Sequence, residues 1–124
     1  MTTSTVTAAA AVAAYIRPWN ITDAAERAAA VDAAVTPDVR FVDPLSDLTG
    51  SAALSAAIGG VQSQFAGMEL RLHGDVDAHH DVARFQWALG PAGAEPLVIG
   101  FDTVTFAADG RIATVSGFFD QVPG

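Results

Sequence analysis

Residues 69–77 read Glu-Leu-Arg-Leu-His-Gly-Asp-Val-Asp, and at this stretch the hydrophobic pattern of the chain changes its period. Leu70, Leu72, Gly74 and Val76 alternate with Glu69, Arg71, His73, Asp75 and Asp77, the two-residue rhythm of a strand with one wet face. Working downstream, His79 to Asp81 form a polar turn, and Val82 to Leu89 are the next strand. Gly90-Pro91-Ala92-Gly93 then reverses the chain. Two further strands, Pro96 to Phe106 and Arg111 to Phe119, flank Asp109-Gly110, a strong hairpin signal between β-prone residues. The spacing therefore predicts an antiparallel sheet in the second half.

Upstream the period is helical. Alanine runs place Val12, Ile16 and Trp19 on one side of the segment bearing Tyr15, predicting a helix that begins at Thr3 or Ser4. It ends or kinks at Pro18, which lacks an amide donor. Asp23, with Glu26 three residues on, has the form of a capping box for a second helix that closes before Thr36-Pro37. Val39 to Asp43 reads as a short strand. Thr49 or Ser51 caps a third helix running to about Phe65, with Gly67 beyond its end. These elements predict one α+β domain over residues 1–124, a curved, mainly antiparallel sheet wrapped around three helices from the N-terminal half, without repeat or linker.

Composition narrows the function classes. The chain has 124 residues, 51% of them hydrophobic, enough for a sizeable core. Without cysteine it has no disulfide framework, thiolate metal site or cysteine nucleophile, and a reducing cytoplasm fits that usage. Fourteen acids against six bases give a formal charge of -8, which repels phosphate backbones and anionic membrane surfaces, so nucleic acid and membrane are not expected partners. The apolar N-terminal run lacks the basic flank of a signal peptide, and no window approaches the ~20 apolar residues of a membrane span.

Asp102 is the odd residue on its strand. Its neighbours at two-residue spacing are Gly100, Val104 and Phe106, and a carboxylate on so apolar a face must find a partner or take up a proton. An edge-exposed aspartate near a strand end is the alternative. Asp43 ends a strand whose alternate positions are Val39 and Phe41, just before Pro44, and from spacing alone it reads first as an ordinary Asp-Pro turn residue. Tyr15, the sole tyrosine, reads by itself as core. His79 and His80 are adjacent and should diverge as solvated turn residues, and His73 alternates with charged neighbours. Ser55, Ser63 and Ser116 have no credible histidine partner, there is no glycine-rich phosphate loop, and no metal or cofactor is expected.

Three segments in order, Tyr15 to Asp23 (YIRPWNITD), Val39 to Gly50 (VRFVDPLSDLTG) and Phe101 to Ile112 (FDTVTFAADGRI), make the chain resemble, nearly end to end, the nuclear-transport-factor-2-like superfamily with its SnoaL-like cyclases and ketosteroid isomerases. The resemblance implies a cone-shaped fold with one internal pocket. In the ketosteroid isomerases Tyr15 stands at the oxyanion-hole tyrosine, Asp43 at the proton-shuttling base and Asp102 at the protonated acid. Supporting tyrosines of some isomerases have no counterpart here. Arg84 alternates with Gln86 on one strand face; an arginine beside Asp102 would keep it charged, and a single-aspartate mechanism like that of the polyketide cyclases, with Gln86 as a polar pocket residue, would then be the better model. Arg84 also loosely resembles the arginine of limonene epoxide hydrolases, but the acids of that reaction are missing.

The resemblance thus implies proton transfer next to a carbonyl on a hydrophobic substrate, as an isomerase or cyclase using Asp43, Asp102 and Tyr15. The alternative is a non-catalytic binder of a small apolar ligand in a pocket lined by Phe41, Phe65, Trp87, Val104, Val115 and Phe119; a third is an assembly domain. The expected partners are a small hydrophobic carbonyl-type ligand and, by resemblance, a second copy in a homodimer.

Overall fold

The computed structural model describes residues 5–123. Helix α1 (Thr5–Ile16) leads into a short 3-10 turn at Arg17–Asn20, where Pro18 prevents the α-helical ladder from continuing. The expected start at Thr3 or Ser4 lies outside the described residues. Helix α2 (Ala24–Ala34) is capped as its sequence implies, the Asp23 carboxylate accepting the Glu26 N–H at 2.9 Å. Strand β1 (Val35–Asp43) follows without a loop, so the strand begins four residues before the expected Val39. Pro37 is accommodated because the register between β1 and its neighbour shifts between Val35 and Arg40.

Strand β2 (Ser46–Thr49) is an element the periodicity does not reveal. Its four residues fold straight back on β1, Asp43 facing Ser46 and Arg40 facing Thr49, and only Leu48 among them is apolar. Thr49 is therefore strand, and the cap position of helix α3 (Ser51–Gln64) falls to Gly50 at φ 105. Strands β3 (Met68–His79), β4 (Val82–Pro91), β5 (Val98–Phe106) and β6 (Ile112–Gln121) follow in the expected order. The sheet order is β2-β1-β6-β5-β4-β3. Every neighbouring pair is antiparallel except β1 and β6, which run parallel, with helix α3 and four strands between them in the chain. The result is an α+β fold with a curved, unclosed sheet.

Alternation decides what faces the helices. On β5, Val98, Gly100, Asp102, Val104 and Phe106 are all buried, and on β4, Ala83, Phe85 and Leu89 join them. Val12 and Ile16 of α1, Val31 of α2 and Leu54 and Ile58 of α3 close over that surface. Two polar side chains tie the 3-10 turn into place. Asn20 donates to the Leu70 carbonyl at 2.7 Å and accepts the Leu70 N–H at 2.8 Å. Gln62 on α3 donates to the carbonyls of Trp19 and Ile21 at 2.9 Å each and accepts from Arg27 at 2.9 Å. Together they fix the segment that carries Trp19.

The Trp87 indole lies directly against Gly100 on the neighbouring strand, in the space a side chain there would need. Gly100→Ala should therefore destabilise the protein by about 1–3 kcal/mol through overpacking. Denaturant unfolding reads this directly; an unchanged midpoint would mean that the indole packs elsewhere.

Candidate functional site

A cavity of about 170 Å³ opens between α1, α3 and the inner face of the sheet. Tyr15 and Ile16 come from α1, Val61 from α3 and Phe65 from the residue just past its end, and Phe41 and Asp43 from the end of β1. The sheet supplies Trp87 and Leu89 from β4, Asp102 from β5, and Gly117 and Phe119 from β6. Nearly all of this surface is hydrocarbon.

Two carboxyl groups converge at its floor. In the register of the sheet Asp102 faces Gly117 on β6, and Ser116 next to it faces Val42 on β1, so β6 alone separates the two acids. A Cβ placed on Gly117 would lie 2.7 Å from Asp102 Oδ1 and 3.3 Å from the Asp43 Cβ. A residue with no side chain is thus what lets Asp43 and Asp102 approach each other. Asp43 is half-buried and lines the cavity, and its Oδ1 accepts the Leu45 N–H at 2.9 Å across Pro44, so the turn occupies one of its two oxygens.

Asp102 is 5% exposed. Burial pushes its carboxyl up from 3.8 to about 7, the N–H of Trp87 pulls the other way as a donor to the charged form, and nearby Asp43 adds a smaller upward push. Tyr15 is 3% exposed, and its hydroxyl is pushed well above 10, first by burial and next by the negative charge of Asp102. The Trp19 indole, edge-on to Tyr15 at 6.2 Å between ring centres, opposes that shift as a neighbouring donor. Neither Tyr15 Oη nor Trp19 Nε1 has a partner in hydrogen-bonding geometry, although both atoms are buried.

Of the residues singled out from sequence, Tyr15, Asp43, Asp102, Phe41, Phe65, Trp87 and Phe119 line this one cavity. Gln86, Val104 and Val115 do not, and these three placements are corrected. Gln86 has the opposite strand parity to Trp87, faces the outside of the sheet and donates to Asp120 at 2.8 Å. Val104 and Val115 do face inward, but they pair with each other farther along the strands, in the solid core away from the cavity. Arg84 shares the outward parity of Gln86, pairing with Asp77 at 2.9 Å with both side chains largely in solvent, so no guanidinium reaches Asp102. Trp19 and Gly117 are cavity residues the sequence reading passed over. The signal for Trp19 was its position one helical turn beyond Tyr15; Gly117 has none, because its importance lies in what it leaves room for.

Among the described residues no group of three or more His, Asp or Glu side chains could hold a metal ion, and no helix is long and apolar enough to cross a membrane.

The raised Asp102 pKa has a stability consequence. Between about pH 4 and pH 7 the folded protein keeps a proton that the unfolded chain has released, so this residue's contribution is fully present below about pH 4 and is lost as pH rises through about 7. At ~1.4 kcal/mol per unit, the wild type should lose roughly 4 kcal/mol relative to Asp102→Asn across that interval. Denaturant titrations of both proteins over that range measure the difference, and parallel curves would show that the carboxyl is not kept from water.

A family model described as the SnoaL-like domain matches residues 8–115. A crystal structure from Agrobacterium tumefaciens, named as a candidate isomerase of the SnoaL-like family, is 30% identical, covering 93% of this chain and 98% of its own, with a TM-score of 0.87. A candidate ketosteroid isomerase from Kribbella flavida is 18% identical over 98% of this chain and 84% of its own, with a TM-score of 0.71. A candidate SnoaL-like polyketide cyclase from a Jannaschia species is 18% identical over 89% and 85%, with a TM-score of 0.66. At 18% identity the likeness is one of fold. No curated protein matches the chain. The match over most of the sequence and the agreement of fold together place this chain in the SnoaL-like domain family.

Proposed function

We infer that the protein is a small-molecule enzyme that moves a proton next to a carbonyl on a hydrophobic substrate, as an isomerase or cyclase. The observation that carries this reading is the meeting of Asp43 and Asp102 across Gly117, on the floor of an apolar cavity without a basic side chain in its lining. The isomerase and cyclase names among the structural neighbours support the same general kind of chemistry.

Each group has a distinct part. Asp43 Oδ2 is the base: it takes the proton from the carbon beside the carbonyl and can return it to another carbon of the enolate, so no net proton is consumed. Tyr15 Oη and the protonated Asp102 carboxyl donate to the oxygen on which negative charge gathers. Asp102 can donate only while it holds its proton, and its placement at about 7 keeps a protonated population at neutral pH that an aspartate at its ordinary value would lack. The apolar lining strengthens these hydrogen bonds by excluding water.

A panel of β,γ-unsaturated ketones in deuterium oxide tests this, conjugation being followed by absorbance and exchange by mass. Asp43→Asn should slow both by at least ~10²-fold, and Tyr15→Phe by about 10²- to 10³-fold, roughly 3 kcal/mol of barrier. If no ketone is exchanged or isomerised, the cavity is a container for an apolar ligand.

A second test is the pH profile. Turnover should fall as pH rises through about 7, where Asp102 loses its proton, and Asp102→Asn, whose amide cannot ionise, should lack that alkaline limb. An unchanged limb in the variant would assign it to another group. The reading also includes a homodimer through the outer face of the sheet, supported by Phe118, 58% exposed there, and sedimentation should give twice the chain mass.

A further inference from the structure

Tyr15 and Trp19 both line the cavity, and their donors, Tyr15 Oη and Trp19 Nε1, are buried without a partner in hydrogen-bonding geometry. Buried N–H and O–H groups are ordinarily paired, and an unpaired one is a standing penalty unless something else supplies the acceptor. Trp19 is not free to swing away and find one. Its backbone is held by Gln62, its ring lies against Tyr15 at 6.2 Å and against Phe41 at 6.1 Å, and Pro18 stiffens the turn that carries it.

The rest of the lining sets further limits. All six basic residues of the chain are arginines, and each is placed elsewhere. Arg27 is bound to Gln62, and Arg40, Arg71, Arg84 and Arg111 are paired with Asp47, Glu69, Asp77 and Asp109. Arg17 is exposed on the 3-10 turn. With two acids on the floor and no cation in the lining, the cavity repels carboxylates and phosphates. Its volume of about 170 Å³ is close to that of a cavity filled by benzene, ~150 Å³, and below the ~300–1,000 Å³ usual for drug-sized ligands.

We propose that the cavity takes an uncharged single-ring ligand with one acceptor oxygen, and that the Trp19 N–H joins the Tyr15 hydroxyl in binding that oxygen. This rests on the carbonyl chemistry above and narrows it: the substrate is a monocyclic ketone rather than a fused polycycle, and Trp19 supplies a donor where this chain has no second tyrosine. The ring lies against Phe41, Phe65, Trp87 and Phe119, with the carbon beside the carbonyl toward Asp43.

Binding separates this proposal from catalysis, because it is read without turnover. Phenol and toluene are nearly isosteric and differ in the acceptor oxygen. Wild-type protein should prefer phenol, and Trp19→Phe and Tyr15→Phe should each reduce the phenol-to-toluene affinity ratio about fivefold or more, while toluene affinity stays within about twofold. Retained toluene binding shows that the variants are folded. In ¹⁵N-labelled wild type, which has two tryptophans, the Trp19 indole N–H signal, assigned with Trp87→Phe, should move downfield with phenol and not with toluene. That measurement decides the point even if Trp19→Phe does not fold. A ratio unchanged in Trp19→Phe, an unmoved indole signal, or a four-ring phenol binding more tightly than phenol and 2-naphthol would overturn the proposal. Failure of Asp43→Asn to affect ketone exchange would instead count against the proton-transfer reading and leave the phenol result standing.

Discussion

Asp102 stands in the middle of an otherwise apolar inner face, flanked along β5 by Gly100 and Val104 and across the sheet by Phe85 and Gly117. Burial of an unpaired carboxylate is expensive in proportion to its charge, and the two escapes are a counter-cation or a proton. This fold leaves only the second, since Arg84 on the neighbouring strand points outward to Asp77. The Trp87 N–H limits how far the shift runs, so the carboxyl comes to rest near neutrality rather than far above it. The acid–base character of the cavity follows from this balance of desolvation against one hydrogen bond.

The balance requires space as much as charge. Gly100 admits the Trp87 indole, and Gly117 admits both carboxyls, so two glycines on adjoining strands shape the polar end of the cavity by their missing side chains. Topology supplies the rest. The order β1-β6-β5 places the exit of β1 one strand from the centre of β5, which brings together acids 59 positions apart in the sequence. Helix α1 then lays Tyr15 over Phe85, the register partner of Asp102. Groups mounted on regular elements hold their relative positions better than groups on loops.

Where local pattern and tertiary demand agreed, the chain was readable. The alternation on β5 marked Asp102 as inward, and the Asp23 cap, the Pro18 break and the hairpin at Asp109-Gly110 were local signals that nothing overrode. Strand β2 was illegible because four mostly polar residues carry no period; it exists through its hairpin pairing with β1 across Pro44 and Leu45. The parallel pairing of β1 with β6 is hidden for a different reason, since it joins segments more than 70 residues apart, such as Phe41 and Val115. For the site, parity along β4 separates Trp87 from Gln86 and Arg84, but which face is inward becomes visible only once the helices have chosen a side. Val104 and Val115 had the right parity and the wrong depth, and depth along a strand is set by where the helices stop covering it.

The two contacts between Asn20 and Leu70 have one more consequence. β3 is the last strand of an unclosed sheet, so on its outer side the main-chain groups of alternate residues have no neighbouring strand. At Leu70 the Asn20 amide offers one donor and one acceptor, the same pair that an incoming backbone would present. A single side chain thus imitates a seventh strand at that position and denies other chains a template for recruitment. The φ +86 bend at Gly74 and the carboxylates of Asp75 and Asp77 hinder such growth farther along the rim. The β3 edge of this open sheet is in this way guarded against self-propagating β-assembly.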